Sequence, residues 1–343
     1  MRIAELVDIG SIATRDVPCP VPGPGEVVIE TRAVGLCGTD LKAYLRGHPY
    51  FTPPCVLGHE FTGVVAEIGP GVTEVAVGDP IVAAPYVECG VCELCRAGVG
   101  ELCRDKAFVA GALQEYILLP PAIVERGTFP LPPDVGFETG SLAEPLACVI
   151  NGIERAAVAS NDSVLVVGGG PMGALLAIVA RSKTPRVLVS EIAPARLDAL
   201  GALGIDTIDP SADDVRERLR EAFGAPAADK VLIAVGLARV AEEAAQWAAP
   251  GGTVLLFGGL PKDATLAVDP FAIHYQEVSL AGSFGFRSDH FREAVRWLSA
   301  HAGRATSLIT DTVPFEDVEE GFRRAERAEG LKTVITFGGR NEP

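Results

Sequence analysis

The run Val164-Leu165-Val166-Val167-Gly168-Gly169-Gly170-Pro171-Met172-Gly173 restricts the fold more than any other stretch of the chain. Four aliphatic residues in succession, with no polar alternation, read as a strand buried on both faces, the habit of parallel sheets covered by helices. The glycines permit an abrupt turn, and Pro171 suits the first position of a helix that reaches Arg181. The pattern recurs downstream. Segments 186–191, 230–234 and 253–257 read as further buried strands, with helical patterns at 195–202 and 240–249 between them. Strands alternating with helices predict an α/β unit with a doubly wound parallel sheet. Before about residue 150 the texture differs: short Val/Ile segments such as 26–30 and 63–69, cut by Gly and Pro, predict a mostly antiparallel β region. The last part of the chain reads as helices at 289–299 and 316–328 and a strand at 333–337.

With 343 residues there is chain enough for two cores. A hydrophobic content of 48% and a charged content of 22% exclude a disordered chain. The net charge of −16 argues against binding to nucleic acid, which needs clustered Lys and Arg. Met1 to Asp8 carries charges where a signal peptide needs an apolar run. The apolar stretch from Val164 to Ala180 is broken by Gly168 to Pro171, so no membrane partner is expected. The eight cysteines, four of them crowded between Cys89 and Cys103, point to a metal site in a reducing compartment, the cytoplasm, and not to a disulfide framework.

Cys89, Cys92, Cys95 and Cys103 have the spacing with which one loop wraps a closed tetrahedral zinc. Such a site supplies folding free energy where a loop has no core of its own. Elsewhere Cys37 and His59 each stand in a glycine-bordered loop. A thiolate and an imidazole with one further ligand leave an open position on zinc, as catalysis requires; by spacing alone they also fit a buried thiol and a core histidine.

The glycine run has the context of a dinucleotide fingerprint, between a strand and a helix. Gly168 permits the turn, Gly170 lets backbone approach a pyrophosphate, and Gly173 allows close packing of helix on strand; Pro171 and Met172 complete the loop. The helix start offers unpaired N–H groups to phosphate. Glu191, at the end of the next strand, suits the ribose hydroxyls and repels a 2′-phosphate, which predicts NAD over NADP. Arg196 either flanks the adenine or is a helix-surface arginine.

Gly58-His59-Glu60-Phe61-Thr62-Gly63-Val64-Val65, followed by Gly69, Gly71, Val75, Gly78 and Asp79, resembles the signature of the zinc-containing medium-chain dehydrogenase/reductase superfamily. Cys37-Gly38-Thr39-Asp40, the four-cysteine loop and the glycine fingerprint stand where that family has them, so the resemblance spans essentially the whole chain. Leu142-Ala143-Glu144-Pro145-Leu146 resembles the sorbitol and threonine dehydrogenase branch, which has a glutamate where ethanol-type enzymes have a cysteine.

The resemblance implies a GroES-like β-barrel catalytic domain at 1–148, to which 287–343 returns, and a Rossmann coenzyme domain at 149–286. It implies two zincs per chain. Cys37, His59 and Glu144 surround the catalytic one, with Glu60 as a carboxylate behind the ligands or as a direct ligand; Cys89, Cys92, Cys95 and Cys103 hold the structural one. Thr39 takes the position of the proton-passing hydroxyl. Lys42 stands where many members have a histidine relay, so Lys42 or water carries the proton onward. Gly258-Gly259 and Gly282 to Gly285 are the loops expected at the nicotinamide end. Cys148, Cys19 and Cys55 read as buried thiols, and His48 as an ordinary loop histidine. The activity implied is oxidation of a secondary alcohol, a polyol or cyclitol, to a ketone with NAD. Threonine-type or simple-alcohol oxidation, ketone reduction, and an inactive NAD-binding protein are the alternatives. A homo-oligomer, dimer or tetramer, is expected.

Overall fold

A computed structural model describes residues 1–49 and 51–338; Tyr50 and residues 339–343, the end of the returning segment, lie outside them. The chain forms two compact units, one of Met1–Ala147 with Phe286–Pro343 and one of Cys148–Gly285.

The first unit is built around a sheet whose central strand is β1, Val27–Gly35. Most residues of β1 are buried, and its backbone has strand partners on both edges. On one side it pairs antiparallel with β2, Glu60–Ile68, so that Gly35 faces Glu60. On the other it pairs antiparallel with the closing strand Lys332–Thr336, where Gly35 faces Val334. One end of β1 thus collects residues from distant parts of the chain. Helix α1, Gly38–Arg46, starts as soon as β1 ends. The antiparallel texture read from the sequence is the dominant pairing here, with a parallel contact between Ile309–Pro314 and the closing strand.

The second unit holds a six-stranded parallel sheet. In chain order its strands are β3 (Val164–Val167), β4 (Val187–Ser190), β5 (Thr207–Ile208), β6 (Ala228–Ile233), β7 (Ala248–Leu256) and β8 (Ser279–Gly282), and across the sheet they lie β5-β4-β3-β6-β7-β8. Leu165, Val167, Leu188, Val231, Ile233 and Val254 fill one core of this unit. Residues 148–155 of helix α2, Ala143–Arg155, and helix α3, Pro171–Arg181, belong to its cover.

Several elements depart from the sequence reading, among them the helix expected at 289–299, which runs over Ser288–Thr306. The helix expected at 240–249 spans Ala238–Ala245, because the Ala228 N–H donates to the Trp247 carbonyl and draws the chain into β7 at Ala248. Strands β5 and β8 carry no apolar run: β5 has two residues, and β8 is an edge strand with an exposed pattern. Among the described residues no helix is long and apolar enough to cross a membrane.

Candidate functional site

Sγ of Cys37, a ring nitrogen of His59 and a carboxylate oxygen of Glu60 lie within 4.8 Å of one another. Local backbone rules bring them together. Cys37 precedes the first turn of α1, and Asp40, at the third helical position, reaches back so that the Cys37 N–H donates to its Oδ2 at 3.1 Å. The other oxygen of Asp40 accepts from the Gly58 N–H at 3.0 Å and lies 3.4 Å from His59 Nδ1. One buried carboxylate therefore ties both ligand loops together and orients the imidazole beside the Cys37 thiol. Gly58 makes the turn with φ +89, where an added Cβ would press on Val34 and Leu113.

Glu60 is fully buried, and its Oε1 has no hydrogen-bond partner. Its other oxygen forms an ion pair with the buried Lys332. Gly35 makes the meeting feasible, since a Cβ there would overlap the Glu60 carboxylate. Burial opposes the charge on Lys332, but Glu60, Cys37 and Glu144 outweigh it and raise its pKa. Burial likewise opposes ionisation of Asp40, yet His59 and the N–H groups of Gly58 and Cys37 keep its pKa low. For His59, burial disfavours the cation, while Asp40 and Cys37 more than reverse this and raise its pKa well above the ordinary value. A thiol, an imidazole and a carboxylate oxygen without a protein donor, clustered this closely, are a donor set that fits zinc.

Sulfur atoms of the four-cysteine loop stand 3.5 Å apart for Cys92–Cys95 and Cys89–Cys103, 3.7 Å for Cys92–Cys103 and 3.9 Å for Cys89–Cys95. Four thiolates about 2.3 Å from a tetrahedral zinc would be about 3.8 Å from one another, so this loop fits the ion as well. The N–H groups of Val91 and Cys92 pull the Cys89 thiol down to about 7, while burial and neighbouring thiols push Cys95 up to about 12. The loop and its flanks also hold residues 286–288. The Phe286 N–H donates to Tyr86 Oη at 3.0 Å, with the two rings stacked at 4.4 Å. Ser288 donates from N–H and Oγ to Glu88, and Arg287 reaches Glu101 and the Gly98 carbonyl.

In the second unit the glycine turn behaves as its residues predict. Gly168 has φ +97, and a Cβ on Gly173 would fall 1.7 Å from the Gly168 oxygen. Helix α3 begins after Gly170 with Pro171, and no side chain caps its start, so its first N–H groups remain available to an anion. Met172 and Pro171 are half-buried beside that opening. Glu191 is buried and accepts from the N–H groups of Gly169 (2.8 Å), Ile192 (2.7 Å) and Ala193 (2.9 Å). Arg196 lies 3.8 Å from Glu191, and a Cβ on Gly170 would sit 3.4 Å from its guanidinium, which places Arg196 against the glycine loop. These features fit a dinucleotide.

Thr39 is half-buried in the first turn of α1, and Lys42 is exposed one turn further on. Glu144 is buried in the first turn of α2 and does not belong to the Cys37–His59–Glu60 group. The cysteines expected as buried thiols are more open than that: Cys19 is exposed, and Cys55 and Cys148 are half-buried. Cys19 lies between two prolines, in a surface loop that cannot continue a ladder. His48 pairs across a bridge with Phe51. Sequence reading missed the roles of Asp40 and Lys332. The spacing Cys37-x-x-Asp40 carried a signal for the first; nothing near Lys332 in sequence pointed to Glu60.

Residues 23–132 match the family model of the alcohol dehydrogenase GroES-like domain, and residues 171–300 that of the zinc-binding dehydrogenase. The chain is 32% identical over 326 residues to an L-galactonate-5-dehydrogenase of Escherichia coli, covering 93% of this chain and 94% of the relative. It is 30% identical over 345 residues to a D-xylulose reductase A of Aspergillus oryzae, covering 96% and 95%. The structure is similar to that of 2R,3R-butanediol dehydrogenase from Bacillus subtilis, with a TM-score of 0.86 at 26% identity, covering 98% of this chain and 99% of that one. With both domains matched in order and such relatives aligned along almost its entire length, the chain belongs to the zinc-dependent medium-chain dehydrogenase/reductase superfamily, in its sorbitol-dehydrogenase-like branch.

Proposed function

We propose that this dehydrogenase oxidises a secondary hydroxyl of a polyol or cyclitol to a ketone, with NAD as acceptor. The observation that carries the reading is the convergence of Cys37, His59 and Glu60 within 4.8 Å. Relatives named for L-galactonate, D-xylulose and 2R,3R-butanediol support a substrate with several hydroxyls.

Zinc bound there supplies Lewis acidity, which makes a hydroxyl acidic near neutral pH. Cys37 and His59 hold it, and Asp40 orients His59. Glu144 would be the third protein ligand, and Glu60, paired with Lys332, would stand behind the ligands or bind directly. Thr39 would accept the substrate's hydroxyl proton while giving up its own, which exposed Lys42, or water beside it, would carry to solvent. Cys89, Cys92, Cys95 and Cys103 hold the structural zinc. The glycine loop, Pro171, Met172 and Arg196 bind the pyrophosphate side of the coenzyme, and Glu191 the ribose. A negative charge fixed at Glu191 supports NAD over NADP. Met1–Ala147 with the returning tail serves as the catalytic domain and Cys148–Gly285 as the coenzyme domain. A homo-oligomer is supported by the exposed edge β8, with exposed Leu280 in it, and by exposed Phe271 and Tyr275 shortly before it in sequence. Eight cysteines, four of them gathered in one zinc-binding loop, suit the reducing cytoplasm.

The test offers zinc-loaded protein NAD or NADP with sorbitol, xylitol, inositols, amino-cyclitols, threonine and primary alcohols, following reduced coenzyme by absorbance. Reduction with NAD and a polyol or cyclitol is expected. Turnover with threonine or primary alcohols alone would sink the substrate class, and a preference for NADP would sink the reading of Glu191. A count of one zinc per chain with no turnover would favour an inactive NAD-binding protein.

A further inference from the structure

We propose that Asn151 is a positioning residue for the nicotinamide half of the coenzyme, acting through the backbone of Phe284 and Gly285. The inference rests on the dinucleotide reading above.

The strand order sets the two ends of the site. The glycine turn follows β3, and Glu191 follows β4, on one side of β3. If Glu191 receives the adenosine ribose, the other nucleoside extends toward the opposite side, over the ends of β6, β7 and β8, because ligands of such sheets bind at the carboxyl ends of the strands where the order reverses. The chain leaving β8, Ser283 to Gly285, is therefore on the nicotinamide side.

Asn151, on helix α2, is 1% exposed. Its Nδ2 donates to the carbonyl of Phe284 at 3.3 Å and to that of Gly285 at 2.9 Å. Both amide hydrogens thus serve successive carbonyls of one loop. Its Oδ1 is buried with no hydrogen-bond partner. A half-satisfied buried amide is disfavoured against an apolar side chain of the same shape, so the two donated bonds are what an amide contributes at this position. The neighbouring residue fixes the base from which it reaches. A Cβ on Gly152 would lie 2.8 Å from the ring of Phe257, so the helix rests closely on the end of β7. Gly285 adopts φ +57, a conformation that leaves a loop many alternatives unless its carbonyls are held. With two carbonyls turned to Asn151, the loop keeps one backbone shape, and the groups it offers the nicotinamide are organised before the coenzyme arrives.

Comparison of two ligands separates this role from a merely structural one. ADP-ribose has the adenosine, pyrophosphate and second ribose of NADH but no nicotinamide. Dissociation constants for both are measured by calorimetry on the zinc-loaded protein and on Asn151→Leu and Asn151→Asp, which keep the size of the side chain and remove its donors. NADH binding is expected to weaken by about tenfold, the equivalent of one lost hydrogen bond, while ADP-ribose stays within about twofold. KM for NAD should rise in step. If either variant fails to fold, Asn151→Ser, which keeps one donor, should show a smaller loss for NADH alone. Hydrogen exchange should quicken at residues 283–285 of the variants. Unchanged NADH binding, or equal weakening of both ligands, would overturn the proposal. Wild-type protein that binds neither ligand would instead overturn the dinucleotide reading beneath it.

Discussion

Replacing Gly173 with alanine tests how helix α3 is seated on the glycine turn. The new methyl would fall 1.7 Å from the Gly168 oxygen and 2.9 Å from its carbon, against a normal contact of about 3.5 Å. Overpacking against yielding side chains costs about 1–3 kcal/mol. Here the opposing atom is main chain in a turn already at positive φ, so the upper end, about 3 kcal/mol, applies. For a unit of about 140 residues the entropy of unfolding near the midpoint is about 0.3 kcal/mol per kelvin, so its melting point should fall by about 10 °C. The helix start must also withdraw from the phosphate position, and NADH affinity should fall at least about tenfold. Gly201→Ala supplies the matched control: that glycine lies in the Pro194–Ala202 helix with no atom within 4 Å of an added Cβ. It should gain about 0.5–1 kcal/mol, or about 2–3 °C. Scanning calorimetry with and without NADH reads both variants. A Gly173→Ala protein that melts within about 2 °C of wild type and binds NADH unchanged would refute the reasoning.

Lys332→Met leaves Glu60 buried without a counter-charge, which should cost about 3–5 kcal/mol in metal-free protein and less once zinc is bound; melting with and without chelator checks it, and an equal loss in both states would be the contrary result. Cys103→Ser should lower the zinc count from about two per chain to about one, with a fall in melting temperature; mass spectrometry under native conditions counts the metal. Asp229 accepts from the N–H and hydroxyl of Ser163 at 2.7 and 2.6 Å, tying the start of β6 to that of β3. Burial opposes its charge, but these bonds win and lower its pKa. Its contribution is therefore present above the ordinary aspartate value, about 3.9, and is lost as pH falls toward the lowered one. The gap in urea midpoint between wild type and Asp229→Asn should be full near pH 6 and shrink below about pH 4.

Legibility in the sequence followed the range of the interactions. Val164–Val167 and Pro171–Arg181 were readable to the residue, because burial on both faces removes polar alternation and proline marks the helix start. Edge strand Ser279–Gly282 was not, since an exposed edge imposes no apolar run. The four cysteines lie in one loop, so spacing alone spoke for them. Cys37 and His59 needed family resemblance, because Asp40 and the β1–β2 pairing, not proximity in sequence, bring them together. Lys332 reaches Glu60 only through the closing strand on the far edge of β1, and no local pattern announces such a meeting. Glu144 matched a motif, yet Glu60 stands in the compact group.

The bonds from Tyr86, Glu88, Gly98 and Glu101 to residues 286–288 join two parts of one unit between which the whole second unit is threaded. Seen as a polymer problem, residues 148–285 are a loop whose ends are clasped, and closing a loop of about 140 residues costs on the order of 5 kcal/mol of chain entropy. A metal-stiffened lobe at that clasp acts like a reversible cross-link that needs no oxidant. Stripping its ion should therefore make the two units melt in a common transition, whereas the loaded protein can lose the inserted unit and still keep the ends of the loop in register for its return.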